Sequence, residues 1–237
     1  MRLVEFKHVL VEGGNIWNGD LATVRIPRDK VRPTVIFLEK VTGLQLINNM
    51  LGSTGVKETS GDIDLAVDPK VISKDALFAE LQAWAKKHDP SALVKKTGIS
   101  VHFRTPIAGN PKLGYVQTDF MMIENVDLVK WSMKSALNSS YRDVSKQIVI
   151  SSLGKALGFR WSPTKGLLNR ETNKIVTTNP DKIAKLLLNK KATGKNLESV
   201  ENILSALASD PKAEEKLQDA RETLAKEGIT LSLPNKY

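Results

Sequence analysis

The chain has 237 residues, 41% of them hydrophobic, with a formal net charge of +9 and no cysteine. That length builds one large domain or two small ones around a sizeable core, and the missing cysteines exclude disulfides and thiolate metal sites. A basic excess of this size points to a polyanionic partner without naming it. The histidines His8, His88 and His102 are too scattered for a zinc site, no apolar run is long enough to span a membrane, and the first residues lack the apolar core of a signal peptide, so a soluble protein of a reducing compartment, the cytoplasm, is expected.

Taken in order, Gly13-Gly14 is followed by no helix and reads as a plain turn rather than a phosphate loop. "VRPTVIFLEKVTG" predicts a short helix, with Pro33 in its first turn and Gly43 as its C-terminal cap. "LQLINNML" leads into "GSTGVKETSGDIDLAV". There "DIDLAV" alternates as a strand, with Ile63, Leu65 and Val67 on one face and Asp62, Asp64 and Ala66 on the other. "SKDALFAELQAWAKKHD" is an amphipathic helix capped by Ser73, with Leu77, Leu81 and Trp84 along one side. "ISVHFRT" and "GYVQTDFMMI" are strand-like and are joined by the turn-rich "PIAGNPKL".

After about residue 125 the pattern becomes mainly helical: "SYRDVSKQIVISSLGKALG", then "PDKIAKLLLNKK", with a short hairpin expected in "FRWSPTKGLLNRETNKIVTT" between them. Two helices follow, "NLESVENILSALAS" and "PKAEEKLQDARETLAKEG", the second started by Asp210-Pro211 and stopped by Gly228. The charge is uneven. Residues 130–195 carry 14 Lys/Arg against 3 Asp/Glu, so the basic character belongs to this middle segment.

The informative feature is a set of carboxylates in apolar strands. Asp62 and Asp64, two residues apart on a strand, leave the same face, and burying such like charges is costly unless something positive joins them. Asp119 is a third carboxylate within an apolar strand. Three such groups on adjacent strands can converge on hard divalent cations, which take oxygen ligands, in the arrangement used for in-line phosphoryl or nucleotidyl transfer. Gly52 and Ser53, ahead of the first carboxylate, offer backbone N–H groups and a hydroxyl to phosphate oxygens. The bland alternative is a solvated acidic turn. Arg104 alternates with His102 and either lines the cleft beside Asp119 or is ordinary sheet-face charge. Phe159 and Trp161, set among cations, either stack on bases or pack a small domain, and Trp131 reads as core.

"GSTGVKETSGDIDLAVD" resembles the signature of the DNA polymerase β nucleotidyltransferase superfamily: Gly-Ser, a short spacer, Asp-x-Asp, and a third Asp downstream. Ser60-Gly61 before the aspartate pair is also similar to the family-X polymerases, as is "LGKALGFRWSPTKGLLNRETNKIVTTNPDKIAKLLL" to their C-terminal, thumb-side end. The first part of the chain also resembles small phage-encoded nucleotidyltransferases, which would place it in a host cytoplasm.

The resemblance implies an α+β protein: a nucleotidyltransferase palm with a mixed sheet over residues 1–125, a small, mainly helical, basic thumb-like domain over 126–195, and a helical tail over 196–237. It implies that Asp62, Asp64 and Asp119 hold Mg2+ or Mn2+ and that Gly52, Ser53 and Lys57 bind the nucleotide. The polymerases carry arginines after Gly-Ser where this chain has Thr54 and Gly55; Lys57 is the candidate replacement. Arg142, Lys146, Lys155, Arg160 and Lys165 are the candidate nucleic-acid contacts. The expected reaction moves a nucleoside monophosphate from a nucleoside triphosphate to the 3′-hydroxyl of a nucleic acid, as a polymerase or terminal transferase does. Transfer to a protein or small molecule, and non-catalytic nucleic-acid binding, are the alternatives.

Overall fold

A computed structural model of the chain describes residues 16–234; Gly13-Gly14 lies outside them. The protein is mixed α+β, with seven α-helices and three separate sheets among the described residues. It divides into two compact units, residues 1–126 and 127–237.

In the first unit β1 (Ile26–Pro27) pairs antiparallel with β2 (Thr59–Ser60), and α1 (Arg28–Thr42) begins directly after β1. The central sheet holds β3 (Asp62–Val67), β4 (Val94–Thr97), β5 (Ser100–Pro106) and β6 (Tyr115–Met122), in the order β3-β6-β5-β4. β3 runs parallel to β6, while β5 pairs antiparallel with both β6 and β4. A parallel neighbour needs a crossover; α2 (Lys74–His88) supplies its helix.

The two faces of this sheet differ because the strands alternate. Ile63, Leu65, Val101, Phe103, Val116 and Phe120 point to one side and pack with Val31, Val35 and Leu38 of α1 and Leu77 and Leu81 of α2. The strand positions between them carry Asp62, Asp64, Asp119, His102, Gln117 and Arg104 on the other face. Ser73 caps α2 as expected, its hydroxyl accepting from the Ala76 N–H at 3.2 Å. Trp84 of that helix meets Phe37 and Phe103 edge to face.

Three expectations need correction. α1 starts at Arg28, so Pro33 stands inside the helix rather than in its first turn. Its ring leaves one carbonyl of the preceding turn without its helical donor, a loss that packing of Val31, Val35 and Leu38 offsets. β4 was not anticipated, because "VKKT" has no apolar alternation; its pairing with β5 holds it at the sheet edge. The hairpin expected after Phe159 is a three-stranded meander. β7 (Phe159–Ser162), β8 (Gly166–Asn169) and β9 (Ile175–Thr177) pair antiparallel in that order.

The second unit begins within α3 (Val126–Ser132) and is built on α4 (Asp143–Ala156). Around it lie the meander, α5 (Pro180–Leu187), α6 (Val200–Leu207) and α7 (Ala213–Ala225). The tail helices are part of this unit. The Ser152 hydroxyl of α4 donates to the Lys216 carbonyl at 2.8 Å and accepts from the Ala220 N–H at 3.1 Å, tying α4 to α7. Trp161 is buried, and its indole N–H donates to the Gln147 side chain at 2.7 Å, so this aromatic packs the interior.

The turn ahead of β3 is anchored from inside the first unit. The Leu51 N–H bonds the Asp64 carbonyl at 2.9 Å, and the Asp64 N–H donates to the buried Thr54 hydroxyl at 3.0 Å. Thr54→Val is nearly isosteric but leaves the Asp64 N–H without an acceptor. The expected cost is about 1–3 kcal/mol of unfolding free energy, read as a lower urea midpoint at unchanged slope.

Candidate metal centre

Strand register brings the three carboxylates together. Asp62 and Asp64 are two residues apart on β3, and Asp64 lies directly opposite Asp119 on the parallel β6. One oxygen from each of the three lies within 4.8 Å of the others. Asp119 is 2% exposed, whereas Asp62 and Asp64 are partly exposed.

The electrostatics follow from that convergence. Burial, then the charge of Asp119, push the Asp62 carboxyl up to about 6, with Arg25 pulling the other way. Burial, followed by the charges of Asp62 and Asp119, raises Asp64 well above the ordinary carboxylate range. For Asp62 and Asp64 the ionised form is disfavoured, the condition that an added divalent cation reverses. Oxygen-only donors clustered in this way fit Mg2+ or Mn2+.

Asp119 is oriented by two side chains. The His102 Nδ1 lies 2.7 Å from its Oδ1, and the Gln117 amide donates to its Oδ2 at 3.2 Å. His102 is opposite Asp119 on β5, and Lys95 is opposite His102 on β4. One row across all four strands therefore reads Asp64, Asp119, His102, Lys95.

The Gly-Ser turn borders the same carboxylates. Gly52 has φ +58°, a left-handed conformation that glycine adopts at no steric cost, and a Cβ placed there would lie 3.7 Å from the Asp64 Oδ2. The N–H groups of Gly52 and Ser53 have no acceptor among the described residues. Ser53 is half-buried, and its carbonyl accepts from the Ser60 hydroxyl at 3.3 Å. Lys57, at the end of the turn, is exposed.

Arg25 was missed in the sequence. Its Nε and Nη2 each donate to Thr59 at 3.0 Å, to the hydroxyl and the carbonyl. A Cβ on Gly61 would sit 3.3 Å from its Nη1, which places the guanidinium beside the residue preceding Asp62. No local signal marks it, because the β1–β2 pairing delivers it from a distant part of the chain. Arg104 is instead an interior anchor: it donates to the Leu21 and Ser91 carbonyls, both at 2.8 Å, and its guanidinium lies 3.8 Å from the centre of the Tyr115 ring.

The five basic candidates have different fates in the second unit. Arg142, Arg160 and Lys165 are exposed. Lys155 forms an ion pair with Asp219. Lys146 is buried, and its ammonium donates to the Lys134 carbonyl at 2.7 Å; burial lowers its pKa to about 8. A backbone phosphate cannot reach that ammonium without opening the core, so Lys146 is corrected to an interior residue.

No family model matches the chain, and no curated protein matches it.

Two pH profiles test this picture. Folding favours the protonated Asp62, so its contribution to stability is complete below the ordinary value of 3.8 and disappears as pH rises through about 6. The metal-free protein should lose about 3 kcal/mol of unfolding free energy across that window from this group, and Asp62→Asn should flatten the fall in denaturant titrations. Folding favours the neutral amine of Lys146, so that contribution is complete above 10.5 and is lost as pH falls through about 8. The stability of Lys146→Met relative to wild type should therefore improve by roughly 3 kcal/mol between about pH 10 and about pH 7.

Proposed function

We propose that this protein is a metal-dependent nucleotidyltransferase with a palm-type catalytic unit, acting on a nucleoside triphosphate and releasing pyrophosphate. The observation that carries the reading is the meeting of Asp62, Asp64 and Asp119, from two parallel strands, with their oxygens within 4.8 Å and no lysine or arginine among the described residues bonded to them. That site has the donor set of a divalent-cation centre, and the turn beside it has free N–H groups suited to phosphate oxygens.

In this reading Asp62, Asp64 and Asp119 would hold the cations. Bound cations supply charge neutralisation of the phosphates and a lowered pKa for the attacking hydroxyl. The chain's own part is positioning. The Gly52 and Ser53 N–H groups and the Ser53 hydroxyl take phosphate oxygens, Lys57 and Arg25 add positive charge around the leaving group, and Asp119 accepts the proton of the acceptor hydroxyl.

The acceptor we favour is the 3′-hydroxyl of a nucleic acid, because the basic excess lies in one segment and Arg142, Arg160 and Lys165 are exposed there. A second reading, transfer to a protein or small molecule, gains weight from the burial of Lys146, which leaves four of the five candidate cations exposed, with Lys155 among them paired to Asp219.

The test is purified protein with Mg2+ or Mn2+, each labelled nucleoside triphosphate in turn, and single-stranded, duplex and tRNA-like acceptors beside a protein mixture. Label on an oligonucleotide is the expected outcome, label on protein selects the second reading, and no label anywhere rejects nucleotidyl transfer. Asp119→Asn, which keeps the side-chain shape and removes a charge, should lower turnover at least about a thousandfold while the fold persists. Near-normal turnover in that variant would remove Asp119 from the metal set.

A further inference from the structure

We propose that His102 is a positioning residue for the metal centre: its Nδ1–H fixes the Asp119 carboxylate in the orientation that presents the remaining lone pairs to a divalent cation. The inference rests on the metal reading of the three carboxylates and adds to it a residue that touches neither cation nor substrate.

His102 is 1% exposed, opposite Asp119 across the β5–β6 pair, and its Nδ1 is 2.7 Å from the Asp119 Oδ1. An ionised carboxylate only accepts, so with Asp119 charged the proton is on Nδ1. The other ring nitrogen, Nε2, is buried with no hydrogen-bond partner among the described residues. An unsatisfied buried ring nitrogen costs stability, and an apolar side chain of similar size would fill this position without that cost. The bond to Asp119 is what an imidazole provides here and a leucine cannot.

Asp119 has two oxygens and about four lone-pair positions. His102 occupies one position on Oδ1 and Gln117 one on Oδ2. Two donors from two strands define the plane of the carboxylate and leave one lone-pair position on each oxygen. Rotation of the carboxylate would break both bonds. Partners of this kind, one bond removed from a metal ligand, change metal affinity by about 10- to 100-fold when removed.

The geometry supplies a matched pair of variants. The amide nitrogen of asparagine is as many bonds from the backbone as Nδ1, so His102→Asn keeps a donor within reach of Asp119. The amide nitrogen of glutamine matches Nε2, so His102→Gln keeps a polar, buried side chain but moves the donor away. His102→Leu removes it altogether. Mn2+ titrations of the full chain, followed by electron paramagnetic resonance, give the dissociation constant of each variant, and metal-free thermal melts report whether each folds.

The expected result is Mn2+ affinity close to wild type for His102→Asn and weaker by about 10- to 100-fold for His102→Gln and His102→Leu. A packing role would instead lower the melting temperatures and leave the affinity of the folded proteins unchanged. Should His102→Leu fail to fold, the Asn and Gln variants still decide. Equal affinities for those two, or wild-type affinity in His102→Gln, would overturn the positioning role while leaving the metal reading intact. Absence of saturable Mn2+ binding by the wild type would overturn both.

Discussion

Mutual repulsion among three carboxylates is the constraint around which the first unit is organised. Asp62, Asp64 and Asp119 are forced together by strand register, and two of them are held with pKa values above the ordinary range. Such an arrangement works against stability. It persists because the opposite face of the same sheet packs a continuous apolar layer against α1 and α2. The backbone of β3 is bonded to Thr54 and Leu51 on its turn side and paired with β6, the strand that carries the third carboxylate.

Polar groups on the charged face are used economically. Arg104 and Tyr115 could have been part of the centre, but the guanidinium is tied to backbone carbonyls and the phenol donates to Asp89 at 2.9 Å. His102 and Gln117 bond Asp119, while Arg25 is held by Thr59 beside Gly61. The centre therefore keeps its negative character, with the Arg25 guanidinium moderating Asp62. Three converging carboxylates argue for a cationic ligand, and the N–H groups of Gly52 and Ser53, which have no acceptor among the described residues, argue for an anionic one in the same place.

The second unit illustrates how composition overstates a basic surface. A segment with 14 cations looks uniformly suited to a polyanion. Folding withdraws some of them. Lys146 is sheltered on a backbone carbonyl, and Lys155, though exposed, is paired with Asp219 from α7, a helix that lies outside the basic segment. What remains is a smaller set of exposed side chains, a footprint for fewer phosphates than the count implies.

Much of the fold and of the candidate site was legible in order along the chain. Period-two alternation in "DIDLAV" marked a strand and put Asp62 and Asp64 on the face opposite the aliphatics, because the side-chain period of a strand is two, and "GYVQTDFMMI" was strand-like around Asp119. Ser73 and Gly43 marked helix ends, because capping is local chemistry. The spacing of Gly52, Ser53, Asp62 and Asp64 identified the place where charge and a tight turn adjoin. Everything that depended on partners distant in sequence was decided by tertiary structure alone. Register placed Asp119 against Asp64 and His102 against Asp119. Pairing of β1 with β2 brought in Arg25. The edge of the sheet made a strand of Val94–Thr97, whose own pattern is featureless. Packing of α4 turned Lys146 inward. Local propensity and periodicity are properties of a few neighbouring residues. Burial, register and ion pairing depend on which segments meet, and they set the charge that each side chain carries.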